Sequence, residues 1–326
     1  MNSQPNENEG VVIIGSSNMD FNVYSERLPN PGETVTGGVF QQALGGKGAN
    51  QAVAAARSGS ETTFIGKVGK DAFGDQMITN LSQEGIDTAH IIRDPTEASG
   101  IAFILIDKNG ENMISVAPGA NAQLKPQDIE THKKLISKTR VVIAQMEIPL
   151  KTLEKIYEIA QDKDVIKILN PAPLKPLSTQ LLEKIDIIIP NEGELLRLNS
   201  LLGFKSNEDP KIDNLKQACL NISGLGINHI ITTLGAEGSL IYDSNKNEFM
   251  RVPSFKVKAI DTVGAGDCFN GVLSSMLSKG KDLIEAVKYA TCGASIAVTR
   301  KGAQESMPFL EEIEARIEQY DKNIKM

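Results

Sequence analysis

The chain has 326 residues, 40% of them hydrophobic, enough to bury a large core in one α/β unit or two domains. It carries 34 Lys and Arg against 41 Asp and Glu, a net charge of −7 with no long basic run, which argues against nucleic acid as a partner. No apolar segment approaches membrane-spanning length, the N-terminus lacks a secretory apolar stretch, and three scattered cysteines (Cys219, Cys268, Cys292) with three isolated histidines form no zinc pattern. A cytoplasmic protein with no membrane partner is expected.

Met1 to Gly10 is polar and is expected to be a disordered tail, with residues 11–326 forming one domain. Val11 to Gly15 is a short apolar run, the pattern of a strand buried on both faces. Phe21 to Leu44 is rich in Thr, Val, Gly and Gln and lacks helical periodicity. Asn50 to Arg57 predicts a small-residue helix, and Phe73, Met77, Ile78 and Leu81 share one face of another. Ile101 to Ile106 and Met113 to Val116 flank Asp107-Lys108-Asn109-Gly110, whose Asn-Gly suits a hairpin turn.

Further strands are predicted over Val141 to Met146, Val165 to Leu169, Ile185 to Ile189 and Ile230 to Thr233. Between them lie helical patterns over Lys151 to Ala160, Glu192 to Leu198 and Asn214 to Ile222, and Cys268 to Leu277 predicts another helix. Such alternation implies a mainly parallel sheet covered by helices on both faces. The segments at about 20–44 and 98–118 break the rhythm and are expected to form a small projecting sheet, a lid over the carboxyl ends of the main strands.

The chemistry concentrates where strands give way to helices. Asp261-Thr262-Val263-Gly264-Ala265-Gly266-Asp267 sets two glycines and a carboxylate ahead of an apolar helix. This turn aims backbone N–H groups and a positive helix end at one point. With a phosphoryl group passing there, Asp267 is placed to take a proton from an attacking hydroxyl. The same run also reads as a plain helix start with Asp267 as N-cap. It is not a dinucleotide fingerprint, since Phe269 occupies the third glycine position, and neither a P-loop nor the protein-kinase signatures occur.

Gly15-Ser16-Ser17-Asn18-Met19-Asp20 offers an amide and a carboxylate two residues apart, on one side of an extended chain. Gly45-Gly46-Lys47-Gly48-Ala49-Asn50 precedes a helix, and Gln145-Met146-Glu147 ends a predicted strand. Amides, carboxylates and one ammonium suit a polyol, whose hydroxyls each want a donor and an acceptor.

With these motifs, from about Val11 to Pro308, the chain resembles the ribokinase/PfkB family of sugar kinases; Gly45 to Gln51 and Thr299-Arg300-Lys301-Gly302-Ala303-Gln304 carry the likeness most specifically. The resemblance implies a three-layer α/β/α sandwich with a β-sheet lid and a homodimer through that lid. It implies ATP-dependent phosphorylation of D-ribose at the 5-hydroxyl, or of 2-deoxyribose, another sugar or a nucleoside. A catalytically inactive sugar-binding regulator is the alternative of another class. By matching position, Asn18, Asp20, Gly46, Lys47, Asn50 and Glu147 would hold the sugar. Asp267 would be the base, and Gly264, Ala265 and Gly266 would begin the anion hole. Asn191, Thr233, Leu234, Gly235, Ala236, Glu237, Gly238, Gly266 and Thr291 would meet ATP, with Glu194 ordering Mg²⁺ through water. Asp261, Val263, Ala297, Arg300, Gly302 and Ser306 would hold K⁺.

Overall fold

The computed structural model describes residues 10–161, 164–205 and 209–324. Residues 1–9 of the expected tail lie outside the described residues. Gly10, counted with that tail, is instead anchored: its carbonyl accepts from Thr139 Oγ1 (3.0 Å) and from the Val141 N–H (3.3 Å).

Eight strands form the main sheet. From one edge they run β14 (Glu248–Val252), β13 (Ser239–Asp243), β12 (His229–Thr233), β11 (Ile187–Ile188), β10 (Ile166–Asn170), β9 (Val141–Gln145), β1 (Val11–Ile14) and β4 (Thr62–Ile65). Strands β12 through β4 pair in parallel, while β13 and β14 add an antiparallel hairpin that the sequence reading did not anticipate. Ile185 to Ile189 narrows to the two residues of β11.

Alternate residues of β1 enter different cores, as two covered faces require. Val11 and Ile13 join a cluster with α1 (Lys47–Arg57), α9 (Ala265–Ser278), α10 (Leu283–Ala297) and α11 (Leu310–Ile324). Val12 and Ile14 join a second cluster on the other face. Its helices are α3 (Pro126–Glu130), α4 (Lys133–Ile136), α5 (Leu150–Ile159), α6 (Thr179–Leu182), α7 (Glu192–Leu201) and α8 (Ile212–Ser223). The result is a three-layer α/β/α sandwich.

A separate sheet of four strands has the order β3 (Val39–Gly45), β2 (Asn18–Tyr24), β7 (Gly100–Ile106), β8 (Asn112–Ala117). Its Met19 packs on Val68 of the short strand β5 (Lys67–Gly69) and on Met77 of α2 (Ala72–Gln83), and β5 pairs with β6 (Ile92–Asp94). The outer strand β8 is exposed along its whole length, with Met113, Ile114 and Val116 beside Val39, Phe40 and Phe103 as large exposed apolar chains.

β1 has β4, its successor among the main strands, on one side and the much later β9 on the other. A crevice at the carboxyl ends of β1 and β9 follows from that reversal of direction.

Candidate active site

Glu147, just past β9, closes that crevice. Its Oε2 accepts from Ser16 Oγ, just past β1, and from the Lys47 backbone N–H at 3.1 Å. The helix therefore starts at Lys47, three residues before the predicted Asn50, with Gly46 as N-cap and an acceptor for its first N–H. Asn18 opens β2, and its Oδ1 accepts from Asn121 Nδ2 (2.8 Å). Asn121 also bonds the N–H and carbonyl of Ser17 (3.0 and 3.1 Å), so one buried amide fixes the joint between the two sheets.

Asp20 follows on the same side of β2 and lies over Gly45, where a Cβ would stand 2.1 Å from its Oδ2. Burial pushes the Asp20 carboxyl up to about 7, with Glu147, Glu305 and Asp267 adding to the rise and Lys47 opposing it. Lys47 itself is raised, first by Asp267, against burial and with help from Glu147, Glu194 and Asp20.

Asp267 is buried in the first turn of α9 and is not its N-cap, a position held by Gly264. Asn50 Nδ2 donates to its Oδ2 (2.9 Å) and Gln51 Nε2 to its Oδ1 (3.0 Å). Gly264 has φ of 73°, the left-handed region where a Cβ is strained, and one there would stand 3.1 Å from the Ala303 Cα. Of the three residues read as the anion hole, Ala265 turns its N–H to the Thr262 carbonyl (3.3 Å). Among the described residues the N–H groups of Gly264, Gly266 and Asp267 have no acceptor, and the space beside Gly266 is open. Unpaired N–H groups at a helix N-terminus make an anion site.

Two hollows meet at this turn. One of about 230 Å³ is lined by Lys47, Asn191, Glu194, Gly264, Gly266 and Asp267 among others. Asn191 and Glu194 cap α7 reciprocally: each backbone N–H donates to the other's side chain, at 2.9 and 2.8 Å. Burial raises the Glu194 carboxyl, with Asp267 adding to the rise and the Asn191 N–H and Lys47 opposing it. The other hollow, about 530 Å³ and mostly apolar, is lined by Thr233, Gly235, Ala236, Gly238, Gly266 and Thr291 among others. Leu234 instead packs in the core, and Glu237 pairs with Arg251 on the surface. Thr262 of the Asp261 to Asp267 run also lines this hollow, as do Ser254 to Val257, Ala259 and Ser295, which were not singled out in the sequence, where they form no motif.

Asp261 joins two distant segments. Its Oδ1 accepts from the Val263 N–H and its Oδ2 from the Gly302 N–H, each at 3.0 Å. Arg300 is bonded by Glu312 rather than by Asp261. The Ala297 carbonyl accepts from the Arg300 N–H (3.0 Å), and the Ser306 hydroxyl donates to the Ala303 carbonyl (2.7 Å). Behind this segment, Arg57 at the far end of α1 donates to the carbonyls of Gln304 (3.0 Å) and Met307 (2.7 Å) and pairs with Glu84.

The profile of pfkB family carbohydrate kinases matches residues 8–310. A ribokinase of Staphylococcus aureus (strain COL) is 40% identical over 306 residues, 93% of this chain and 98% of that protein. A deoxyribokinase of Salmonella typhi is 36% identical over 303 residues, 93% of this chain and 96% of its own. Among solved structures, Arabidopsis thaliana ribokinase complexed with ribose and ATP superposes with a TM-score of 0.87 at 29% identity, covering 95% of this chain and 99% of that one.

Proposed function

The chain belongs to the pfkB family of carbohydrate kinases, and on that premise we propose how its residues phosphorylate D-ribose with ATP, yielding ribose 5-phosphate and ADP. The observation that carries the reading is the seat of Asp267: a buried carboxylate held by two amides, beside unpaired N–H groups, where the two hollows meet.

Asn18, Asp20, Gly46, Lys47, Asn50 and Glu147 hold the sugar. Among the described residues Asn50 Oδ1 is buried without a partner, and a sugar hydroxyl supplies the missing donor. Asp267 takes the proton of the 5-hydroxyl as that oxygen attacks the γ-phosphorus. The bond from phosphorus to the bridging oxygen of ADP breaks in line. The N–H groups of Gly264, Gly266 and Asp267 receive the charge on the phosphoryl oxygens. The larger hollow takes the nucleoside of ATP, against Thr291, whose buried Oγ1 has no partner among the described residues.

Among the described residues no three His, Cys, Asp or Glu are gathered as a metal cluster. A hydrated ion with one or two carboxylates needs none. Glu194 faces a hollow of about 230 Å³, and volume of that order leaves room for several waters at about 30 Å³ each. Glu194 fits Mg²⁺ held through water, and an ion there would neutralise phosphate charge. For K⁺, Asp261 supplies one carboxylate between two segments that also offer the carbonyls of Val263, Ala297, Arg300 and Gly302 and the hydroxyl of Ser306. That all-oxygen, singly charged set fits a large monovalent cation, which braces the anion-hole turn.

The exposed apolar chains of the second sheet support a homodimer formed through it, and three buried free cysteines are in keeping with a reducing cytoplasm. Among the described residues no helix is long and apolar enough to cross a membrane.

The test is ADP release, coupled to a colour reaction, with ribose, 2-deoxyribose, fructose and adenosine. Ribose is expected to give the highest kcat/KM, because a site built to bond each hydroxyl leaves groups unpaired when one is missing. Equal or better turnover of adenosine overturns the assignment, and sugar binding without ADP release would indicate an inactive sugar-binding protein.

A further inference from the structure

Gln51 is fully buried on α1, one residue past Asn50, and is absent from the linings of both hollows. It is nevertheless the centre of a chain of amides that ends on the base. Asn170, at the end of β10, donates its Nδ2 to the Ile189 carbonyl (3.0 Å). A carbonyl only accepts, so the Asn170 amide is fixed with Oδ1 turned the other way. Gln51 Nε2 donates to that Oδ1 (3.2 Å) and to Asp267 Oδ1 (3.0 Å). Its Oε1 accepts from Gln145 Nε2 at the end of β9 (2.6 Å). Both Gln51 N–H bonds and its acceptor are therefore committed. The sheet sets the direction of the amide, and the amide meets Asp267 as a donor.

We infer that Gln51 is a positioning residue for the proton transfer: it keeps Asp267 Oδ1 as an acceptor, so the proton of the sugar hydroxyl is received on Oδ2, the oxygen on the Asn50 side. The balance is simple. The sugar O–H bond breaks as an O–H bond forms on the second lone pair of Oδ2, which keeps its bond from Asn50, while Oδ1 retains its bond from Gln51. Asn50 and Gln51 are adjacent in the chain but hold opposite oxygens of one carboxylate. Asn50, with its Oδ1 left for a donor, serves the sugar on the proposed function, and Gln51 ties the base to the ends of two central strands.

This rests on the kinase reading, so the experiment separates the two. Gln51→Met keeps the volume and removes the donor; Gln145→Leu releases the Gln51 amide from its far side. Steady-state kinetics from pH 5 to 9 are compared with wild type, and the Asp267 carboxyl is followed by ¹³C NMR, its signal identified by its absence in Asp267→Asn. Loss of one hydrogen bond to a charged group is expected to lower kcat of Gln51→Met about 10- to 100-fold, with both KM values within about twofold. The acidic limb of kcat/KM and the midpoint of the ¹³C signal should both move upward, because a donor that favours the ionised form is gone. Gln145→Leu should move both in the same direction by less. If Gln51→Met does not fold, the Gln145→Leu shift is the test. An unmoved limb and midpoint, or a loss confined to KM, overturns the inference. Failure of wild type to release ADP with any sugar overturns the kinase reading, and the ¹³C midpoint still decides whether Gln51 governs the carboxyl.

Discussion

The Cα atoms of Gly15 and Gly48 face one another with no side chain between: a Cβ on Gly48 would stand 2.7 Å from the Gly15 Cα, and one on Gly15 2.8 Å from the Gly48 Cα. The first turn of α1 thus rests directly on the end of β1. That contact sets the depth at which Lys47, Asn50 and Gln51 enter the crevice. Gly48→Ala should force the backbones apart at a cost of about 1–3 kcal/mol. Thermal melts should show the loss of stability, and kinetics should show a sugar KM raised more than the KM for ATP. Normal values of both would mean that the contact does not place the sugar residues.

Asp267→Asn is usually a gentle exchange, but here both carboxylate oxygens accept from amide donors. An amide at 267 turns its own NH₂ toward one of them. The expected result is a loss of about 10²–10⁴-fold in kcat from the missing base. A measurable fall in melting temperature should accompany it, and Asp267→Ala should lose as much activity without the donor–donor clash. Near-normal kcat in either variant would exclude Asp267 as the base.

Asp20 makes stability depend on pH. Its carboxyl lies at about 7 in the folded chain against an ordinary 3.8, so between these values the folded state holds a proton that the unfolded state has released. Stability therefore falls as pH rises through that window. Asp20→Asn removes the penalty. Its sugar-free form should melt above wild type at pH 8, and the gap should close as pH falls toward 4. Sugar affinity should fall in the same variant, because a carboxylate acceptor is lost. A gap that is constant with pH would refute the assignment.

Potassium is expected to activate chiefly through kcat, since a braced anion hole matters most in the transition state. With monovalent ions replaced by a bulky organic cation at constant ionic strength, potassium should restore turnover and sodium should do so poorly. Asp261→Asn should raise the potassium needed. A flat response would leave Asp261 with only the two N–H bonds it makes to Val263 and Gly302.

Ile114→Glu places a charge on the fully exposed strand β8. If that sheet is the dimer surface, sedimentation should find this variant monomeric and the wild type dimeric. The same mass for both would remove the sheet from the interface.

The central layer was legible because its strands are uninterrupted apolar runs: Val11 to Gly15 and Val141 to Met146 became β1 and β9 within a residue. The antiparallel edge was not, because Glu248–Val252 carries mixed polarity at an exposed rim and offers no buried period. In the site, the glycine-rich turns gave themselves away through residue types that have few other uses. Asn121, Asn170 and Gln51 did not stand out as site-shaping residues. A buried amide has no periodicity, and its partners lie 104, 119 or 216 residues away. Only Gln51 had a trace, as the last residue of the Gly45 to Gln51 run. Ser254 to Val257 lines the larger hollow from a segment with no regular structure and no motif.

Helix α1 has two working ends. Its first residue is Lys47 and its last is Arg57, which grips the carbonyls on either side of Glu305 and Ser306. Eleven residues at about 1.5 Å each make a rod of roughly 16 Å, packed along one side by α9, which begins at the anion-hole turn. Gln304 and Met307, held by Arg57, and the sugar residues Lys47 and Asn50 in the first turn are thus tied to one stiff strut. Pressure at Arg57, far from any substrate, should be felt as altered sugar affinity, and a change in how the 304–307 segment sits should reach Lys47 without any side chain between them having to move.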